Sequence, residues 1–174
     1  MRLKISILIF ITLLITSCGF VKYSFKDGAS KYEGNKKIFI PQFENSAGKG
    51  PSDIPTTFTE KTKEYYQQNG DFTLVNLNED LKLECEITSY RVDIAGATSA
   101  DKAQQYKLTI GVNVIFYDYQ AEKEEDRKIT KNISQFETYD ANVTLSDIEI
   151  ELIGKISDQL ILEIFNQTVT TTEW

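Results

Sequence analysis

Few residues of this chain combine the type and the spacing that catalysis requires. Glu84 and Glu86 lie two positions apart, so on a strand both carboxylates would share one face and could divide acid and base roles. They alternate with apolar residues, however, and a carboxylate that points to water has no reason for a shifted pKa. The sequence has no histidine, which removes the usual near-neutral base and the commonest metal ligand. We therefore predict neither a catalytic site nor a metal site, and no cofactor.

Cys18 is the residue whose surroundings do predict a reaction. Two positive charges in residues 1–4 and an apolar run over residues 5–15, too short to span a membrane, are typical of a secretory signal peptide. Ser17 directly precedes the cysteine and Ile15 lies two places further back, which resembles the bacterial lipobox. The resemblance implies that Cys18 takes a diacylglyceryl thioether, is cleaved on its amino side and is then N-acylated. Several acyl chains hold more firmly than one, so we predict a membrane-tethered protein.

The predicted mature chain is one acidic domain. Removal of residues 1–17 leaves 157 of the 174 residues, enough for one domain with its own core. Arg2 and Lys4 leave with the signal peptide, so 17 of the 19 basic side chains remain against 26 acidic ones. Such a surface gains nothing from phosphate backbones, and we predict no nucleic-acid partner. Cys85 has no intramolecular partner once Cys18 is lipidated, and it is expected to be a buried, inert thiol.

Period-two alternation predicts the sheet. Residues 36–43 form a first strand that ends near Pro41 or lies at an edge, and residues 72–75 form a short strand. Residues 81–93 and 104–119 give long strands with one apolar and one polar face. Residues 128–139 return as a strand after a charged hairpin, and the phase change at Phe136 predicts a bulge or a shallowly buried edge.

Two helices are expected to cover this sheet. The first is capped by Ser52 or Asp53 and stops at Asn69 and Gly70 in a left-handed turn. In the second, residues 146–149 form a capping box, Leu145 and Ile150 occupy the positions of a hydrophobic staple, and an apolar stripe extends to Phe165. Residues 166–174 are expected to be a tail. The predicted fold is α+β, a two-layer sandwich with two helices packed on one face of a mixed four- to five-stranded β-sheet.

Motifs spread along the mature chain resemble the LptE family as it occurs in the Bacteroidetes. They are residues 17–20 (SCGF), 23–25 (YSF), 40–45 (IPQFEN), 108–110 (LTI) and 164–166 (IFN), with the final Trp174. The resemblance implies an outer-membrane lipoprotein that faces the periplasm and fills the lumen of the large β-barrel LptD. The pair would insert lipopolysaccharide into the outer leaflet. It divides the chain into a signal peptide (1–17), a lipidated tether (18–35) and one LptE-like domain (36–174).

Two departures from the family pattern bear on the binding site. Lys107 stands where an arginine is expected before the Leu-Thr-Ile motif, and the chain is acidic although basic residues in the family are implicated in lipopolysaccharide contact. Arg91 and Lys107, both on predicted strands, are therefore the candidate residues for lipopolysaccharide. The alternative for each is a solvated or barrel-facing charge.

A second function class is compatible with the same residues. Without the family resemblance, the sequence indicates an anchored, non-catalytic α+β domain that binds a small ligand or another envelope protein. Tight association with one large barrel is what distinguishes the plug from such a free lipoprotein.

Overall fold

The computed structural model describes residues 30–95 and 105–170 of the chain. Cys18, most of the tether expected at residues 18–35 and Trp174 lie outside the described residues. The elements follow in the order β1 (Lys36–Phe39), β2 (Glu44–Asn45), α1 (Ile54–Asn69), β3 (Phe72–Leu74), β4 (Leu81–Ile94), β5 (Gln105–Asp118), a 3₁₀ helix (Glu124–Arg127), β6 (Lys128–Asp140) and α2 (Leu145–Val169).

The strands form one mixed sheet in the order β3-β1-β4-β5-β6. Strands β4, β5 and β6 are antiparallel neighbours, whereas β1 runs parallel to both β3 and β4. Strand β2 also pairs with β4 in parallel, so β1 and β2 lie along the same side of β4. They are separated at Pro41, which cannot donate a ladder hydrogen bond. Because both helices pack on one face of this sheet, the predicted fold class is confirmed.

The core lies between the sheet and the two helices. Helix α2 buries the stripe expected from its sequence, and its period of 3.6 residues places that stripe over β5 and β6. Helix α1 contributes Phe58 and Tyr66, both fully buried. The Tyr66 ring meets the Phe165 ring edge to face, with centroids 5.0 Å apart, and this contact joins the helices. The Tyr66 hydroxyl lies 2.7 Å from Thr168 Oγ1, so its polar end is satisfied inside the core.

The expected start of α2 is wrong. The helix begins at Leu145 after Thr144, which makes no side-chain cap, so the capping box does not form. Glu149 instead accepts a hydrogen bond from the Tyr90 hydroxyl at 2.5 Å, because the tertiary fold brings β4 within its reach. Ile150 is 85% exposed, which excludes the hydrophobic staple. At the other end, α2 continues to Val169, four residues into the segment expected to be a tail.

The expected stop of α1 is also wrong in its geometry. Gly70 ends the helix with φ −125° and ψ 159°, an extended conformation rather than a left-handed one. Its backbone N–H still satisfies the Tyr66 carbonyl at 3.1 Å. Asp53 is the N-cap residue as expected, but without a side-chain hydrogen bond, and Pro55 lies in the first turn where its missing N–H costs nothing.

The irregularity of the sheet lies in β4 and not in β6. The pairing of β4 with β5 shifts between Ile87 and Ser89, so that Tyr90 returns to the core after two polar residues. Strand β6 pairs with β5 without a break. Of the two alternatives predicted for β6, the bulge is therefore wrong and the shallowly buried edge strand is confirmed. Its Phe136 lies on the face away from the helices and is 51% exposed.

Candidate interaction surface

The sheet face opposite the helices, here called the open face, has no cover among the described residues. Its members follow from the alternation of β4, β5 and β6 in register. The centre is flat because Ser89, Gly111 and Ser134 lie side by side across the three strands. A Cβ at Gly111 would lie 2.8 Å from Ser89 Oγ, so a larger residue there would displace the Ser89 hydroxyl. Larger side chains flank this centre toward both ends of the strands.

Arg91 and Lys107, the residues predicted from the sequence, lie on the open face of adjacent strands. Arg91 is opposite Thr109, and Lys107 is opposite Asp93, so the two cations are diagonal neighbours. Arg91 Nε lies 3.2 Å from Asp93 Oδ2, and Lys107 Nζ lies 5.1 Å from the centre of the Phe136 ring. Both contacts are at the surface and weak, so both cations remain available to an anionic ligand.

Two polar side-chain atoms on this face are buried without a hydrogen-bond partner among the described residues. They are Thr109 Oγ1 and Asn113 Oδ1. Thr109 was expected on a wet face, but it is only 6% exposed between its register partners Arg91 and Phe136. A buried hydroxyl or amide without a partner costs about 1–3 kcal/mol. Native proteins seldom leave such groups unmatched, but side chains of this chain already cover both atoms, so a partner could bond them only after those side chains move.

A groove of about 310 Å³ opens on this face where β1 gives way to β2. Its lining brings together Gln42 from the interruption, Glu44 from β2, Glu84 and Glu86 from β4, and Asn113 and Ile115 from β5. Carboxylates and amides supply most of its polar groups, and the Lys82 ammonium is a donor beside them. It can therefore take a polar ligand that donates hydrogen bonds.

A row of aromatic and basic side chains crosses the open face at the end of the strands opposite Arg91 and Lys107. Phe39, Lys82, Tyr117 and Lys128 lie side by side on four neighbouring strands. Lys82 Nζ lies 5.9 Å from the centres of both the Phe39 and the Tyr117 rings, and Lys128 Nζ lies 5.5 Å from Tyr117. The row is suited to packing against a surface that is part apolar and part polar.

The chemistry of a catalytic site is not assembled by these residues. Lys82 Nζ lies 2.6 Å from Glu84 Oε1, so one member of the candidate acid pair is already in an ion pair. Burial raises the pKa of the Cys85 thiol far above its ordinary value, which makes it a poor nucleophile. Within residues 30–95 and 105–170, no group of three or more metal-ligating side chains converges. No helix in those residues is both long and apolar enough to cross a membrane.

Thr109, Asn113 and Phe136 are the residues of this surface that sequence reasoning missed as a group. Alternation placed Thr109 and Asn113 on the polar side of β5, but their burial depends on neighbours in β4 and β6. Phe136 was noticed as an apolar residue out of phase in β6. That signal, an aromatic on the polar side of an edge strand, is the one that could have indicated an interaction face.

The family of the chain follows from a comparison of its sequence with family models. The model for LptE, described as lipopolysaccharide assembly, matches residues 35–168. This chain belongs to the LptE family. Membership of this non-catalytic family implies a role in lipopolysaccharide assembly and no enzymatic activity. A comparison with curated proteins finds no match.

Solved structures share the fold at low sequence identity. A protein from Xanthomonas campestris is similar with a TM-score of 0.55 and 10% identity, over 82% of this chain and 92% of that one. A hypothetical protein from Chlamydia trachomatis is similar with a TM-score of 0.51 and 9% identity, over 77% and 95% of the two chains. These two likenesses establish the arrangement of helices and sheet and nothing beyond it.

Proposed function

We propose that this LptE-family chain is an outer-membrane lipoprotein, anchored through Cys18, that acts as plug and assembly partner of an LptD β-barrel. In this role it faces the periplasm and the barrel lumen and helps to insert lipopolysaccharide into the outer leaflet. The family match supports this role, and the motifs quoted above support the Bacteroidetes form of the family. The observation that carries the proposal is the open face, where polar side chains and the exposed Phe136 lie without cover among the described residues.

The open face is suited to the inner wall of a barrel. Lumen-facing residues of such barrels are polar, so a plug must meet them with hydrogen bonds rather than with apolar surface. The exposed side chains of Asn132 and Ser134 can make such hydrogen bonds, and the flat centre at Gly111 allows a polypeptide backbone to come close. The helices cover the opposite face, so docking leaves the core intact.

A gentle detergent extraction tests the partnership. A tag after Trp174 should bring down one barrel-sized protein in near-equimolar amount from native outer membranes. Exposed Asn132 and Ser134 lie on the open face, so Asn132→Arg with Ser134→Arg should reduce the recovered barrel at least tenfold. Gln67→Arg with Gln68→Arg, at exposed positions of α1, is the matched control and should retain it. A lipoprotein recovered folded and membrane-bound but alone would disprove the plug role.

Arg91 and Lys107 are proposed as lipopolysaccharide-binding residues on the same face. Guanidinium and ammonium groups suit the phosphates of a glycolipid, and the hydroxyl of Thr109 lies between the two positions in the register. Arg91→Glu with Lys107→Glu should weaken binding of purified lipopolysaccharide about tenfold or more, measured with labelled glycolipid. Lys49→Glu with Lys123→Glu makes the same charge change at exposed loop positions outside the strands and should bind as the parent does. An equal loss of lipopolysaccharide binding in both variants would mean that net charge, and not these two positions, causes the effect.

A second candidate function is a free lipid-anchored protein that binds a small ligand or another envelope protein. The groove of about 310 Å³ beside Glu44, Glu84 and Glu86 favours it, because that volume accepts a small polar molecule. Glu84→Gln with Glu86→Gln should abolish such binding without unfolding the chain, and no barrel should copurify with the parent protein. Recovery of a stoichiometric barrel together with an empty groove would reject this candidate.

A further inference from the structure

The two edges of the sheet differ in length and in protection. The edge formed by β3 is three residues long, Phe72–Leu74, which is one of the ways in which proteins limit edge-to-edge pairing. The edge formed by β6 spans 13 residues, Lys128–Asp140, and pairs with β5 along its whole length without a break. It contains no proline and no bulge. None of the strands in residues 30–95 and 105–170 pairs with its outer side.

The charges of β6 are ordered along the strand. Lys128 and Lys131 lie in its first half, and Glu137 and Asp140 lie in its second half. If β6 paired in antiparallel register with another β6 about Ser134, Lys128 would be opposite Asp140 and Lys131 would be opposite Glu137. Cross-strand pairs of opposite charge stabilise a sheet, and like charges destabilise it. The strand is therefore complementary to itself in this register.

The same register also matches the faces and the uncharged residues. Directly opposite residues of an antiparallel pair lie on the same sheet face, and every pair in this register has that property. Thr130 would be opposite Thr138 on the open face, and Ile129 would be opposite Tyr139 on the helix face. Threonine pairs and pairs of an aromatic with a β-branched residue are both favourable across strands.

We propose that the β6 edge is an interface for a second copy of this chain, paired antiparallel about a two-fold axis through Ser134. Such an interface is isologous, since the same strand serves both partners, and it closes at two copies. It joins two sheets into one and leaves both open faces on the same side. The proposal goes beyond the plug function and does not depend on it, because it concerns the lipoprotein without the barrel.

Mass measurement on the full lipidated chain in detergent tests the pairing. The protein mass should be that of two copies, falling to one on dilution. Lys131→Glu places two like charges, at positions 131 and 137, opposite each other at both ends of the dimer interface, so it should raise the dissociation constant about tenfold or more. Adding Glu137→Lys makes these charges opposite again and should return the dissociation constant to that of the parent. Lys37→Glu, an exposed residue of β1, is the matched control and should leave the mass unchanged. A single copy at all concentrations would overturn the proposal.

Cysteine cross-linking tests the register independently of charge. Ser134→Cys lies on the two-fold axis and should cross-link to its own copy under oxidation or with a short thiol reagent. Thr130→Cys alone should not, but a mixture of Thr130→Cys and Thr138→Cys chains should, because these two positions face each other. All three positions are exposed, whereas the natural Cys85 is buried. Cross-linking of Thr130→Cys to itself, or of Ser134→Cys only to a barrel protein, would contradict the proposed interface.

Discussion

The two faces of strand β5 differ in whether their buried residues find partners within the described chain. On the helix side, Leu108, Ile110, Val112, Val114 and Phe116 are at most 1% exposed and belong to the hydrophobic core. On the open face, Thr109 is nearly as buried, yet its hydroxyl has no partner among the described residues. One face is completed by the chain's own helices, and the other has polar groups without a partner among the described residues. The contacts that specify the fold therefore lie on the helix side of the sheet.

Truncation of a core residue on α2 should have the largest effect. Ile156 is fully buried between α2 and the sheet, so Ile156→Ala should lower the free energy of unfolding by about 2–5 kcal/mol, through lost burial and the cavity left behind. Ile150→Ala, on the same helix at 85% exposure, is the matched control and should change it by less than about 0.5 kcal/mol. Urea unfolding followed by circular dichroism measures both. Similar losses in the two variants would contradict the assigned helix face.

Alkaline pH should have the second largest effect, because it destabilises the folded chain through two groups buried in the core. Burial raises the pKa of the Cys85 thiol above its ordinary 9.0 and that of the Tyr66 hydroxyl above its ordinary 10.0. The unfolded chain then loses these protons while the folded chain holds them, so stability is present in full below pH 9 and falls as the pH rises. Each group contributes up to about 1.4 kcal/mol per pH unit above its ordinary pKa.

Thermal melts between pH 8 and pH 11 measure this decline. Tyr66→Phe removes one of the two groups, so its melting temperature should fall less steeply above pH 10 than that of the parent. Tyr119→Phe is the control, because Tyr119 is 53% exposed and its removal should leave the slope unchanged. Equal slopes in all three proteins would exclude Tyr66 as a source of the alkaline sensitivity.

The helical period and the strand alternation of apolar residues predicted the helix-covered face of the sheet well, because both patterns reflect which residues are buried locally. The stripe of α2 and the alternation of β4 and β5 mark residues that meet the core, and the structure confirms both. The parallel placement of β1 and β3 on one side of β4 was not predictable, since it depends on pairing across long stretches of chain. The start of α2 was mispredicted for a similar reason. Glu149 bonds Tyr90 on a distant strand rather than its own helix terminus.

The open face could be predicted only in part. Alternation placed Arg91 and Lys107 on strands, but it could not show that they lie on the same face of neighbouring strands. That depends on the register shift near Thr88, where two consecutive polar residues separate Ile87 from Tyr90. Without the shift, Arg91 would belong to the helix side.

The contact that holds this shift in place should have an intermediate effect. Tyr90 packs against Gly50, a residue with φ 86° in the left-handed region, and its hydroxyl donates a hydrogen bond to Glu149 Oε1. Tyr90→Phe should lower the free energy of unfolding by about 1–2 kcal/mol, because a hydrogen bond to a charged group is lost from a partly buried position. Tyr117→Phe, on the open face, is the control with the same chemical change and should cost little. Chemical denaturation ranks the two variants, and a larger loss in Tyr117→Phe would reverse the assignment.

Removal of the unmatched hydroxyl should have the smallest effect on stability and the clearest effect on function. Thr109→Val keeps the shape of the side chain and removes a buried oxygen without a partner, so the isolated protein should be unchanged or stabilised by up to about 1 kcal/mol. Thr130→Val, an exposed β6 position on the same face, is the control. If a barrel wall satisfies Thr109 in the assembled complex, the same variant should lower recovery of the barrel by several-fold. A Thr109→Val chain that is destabilised by more than 1 kcal/mol would mean that the hydroxyl is already satisfied in the free protein, and the open face would then lose its distinction from an ordinary wet sheet surface.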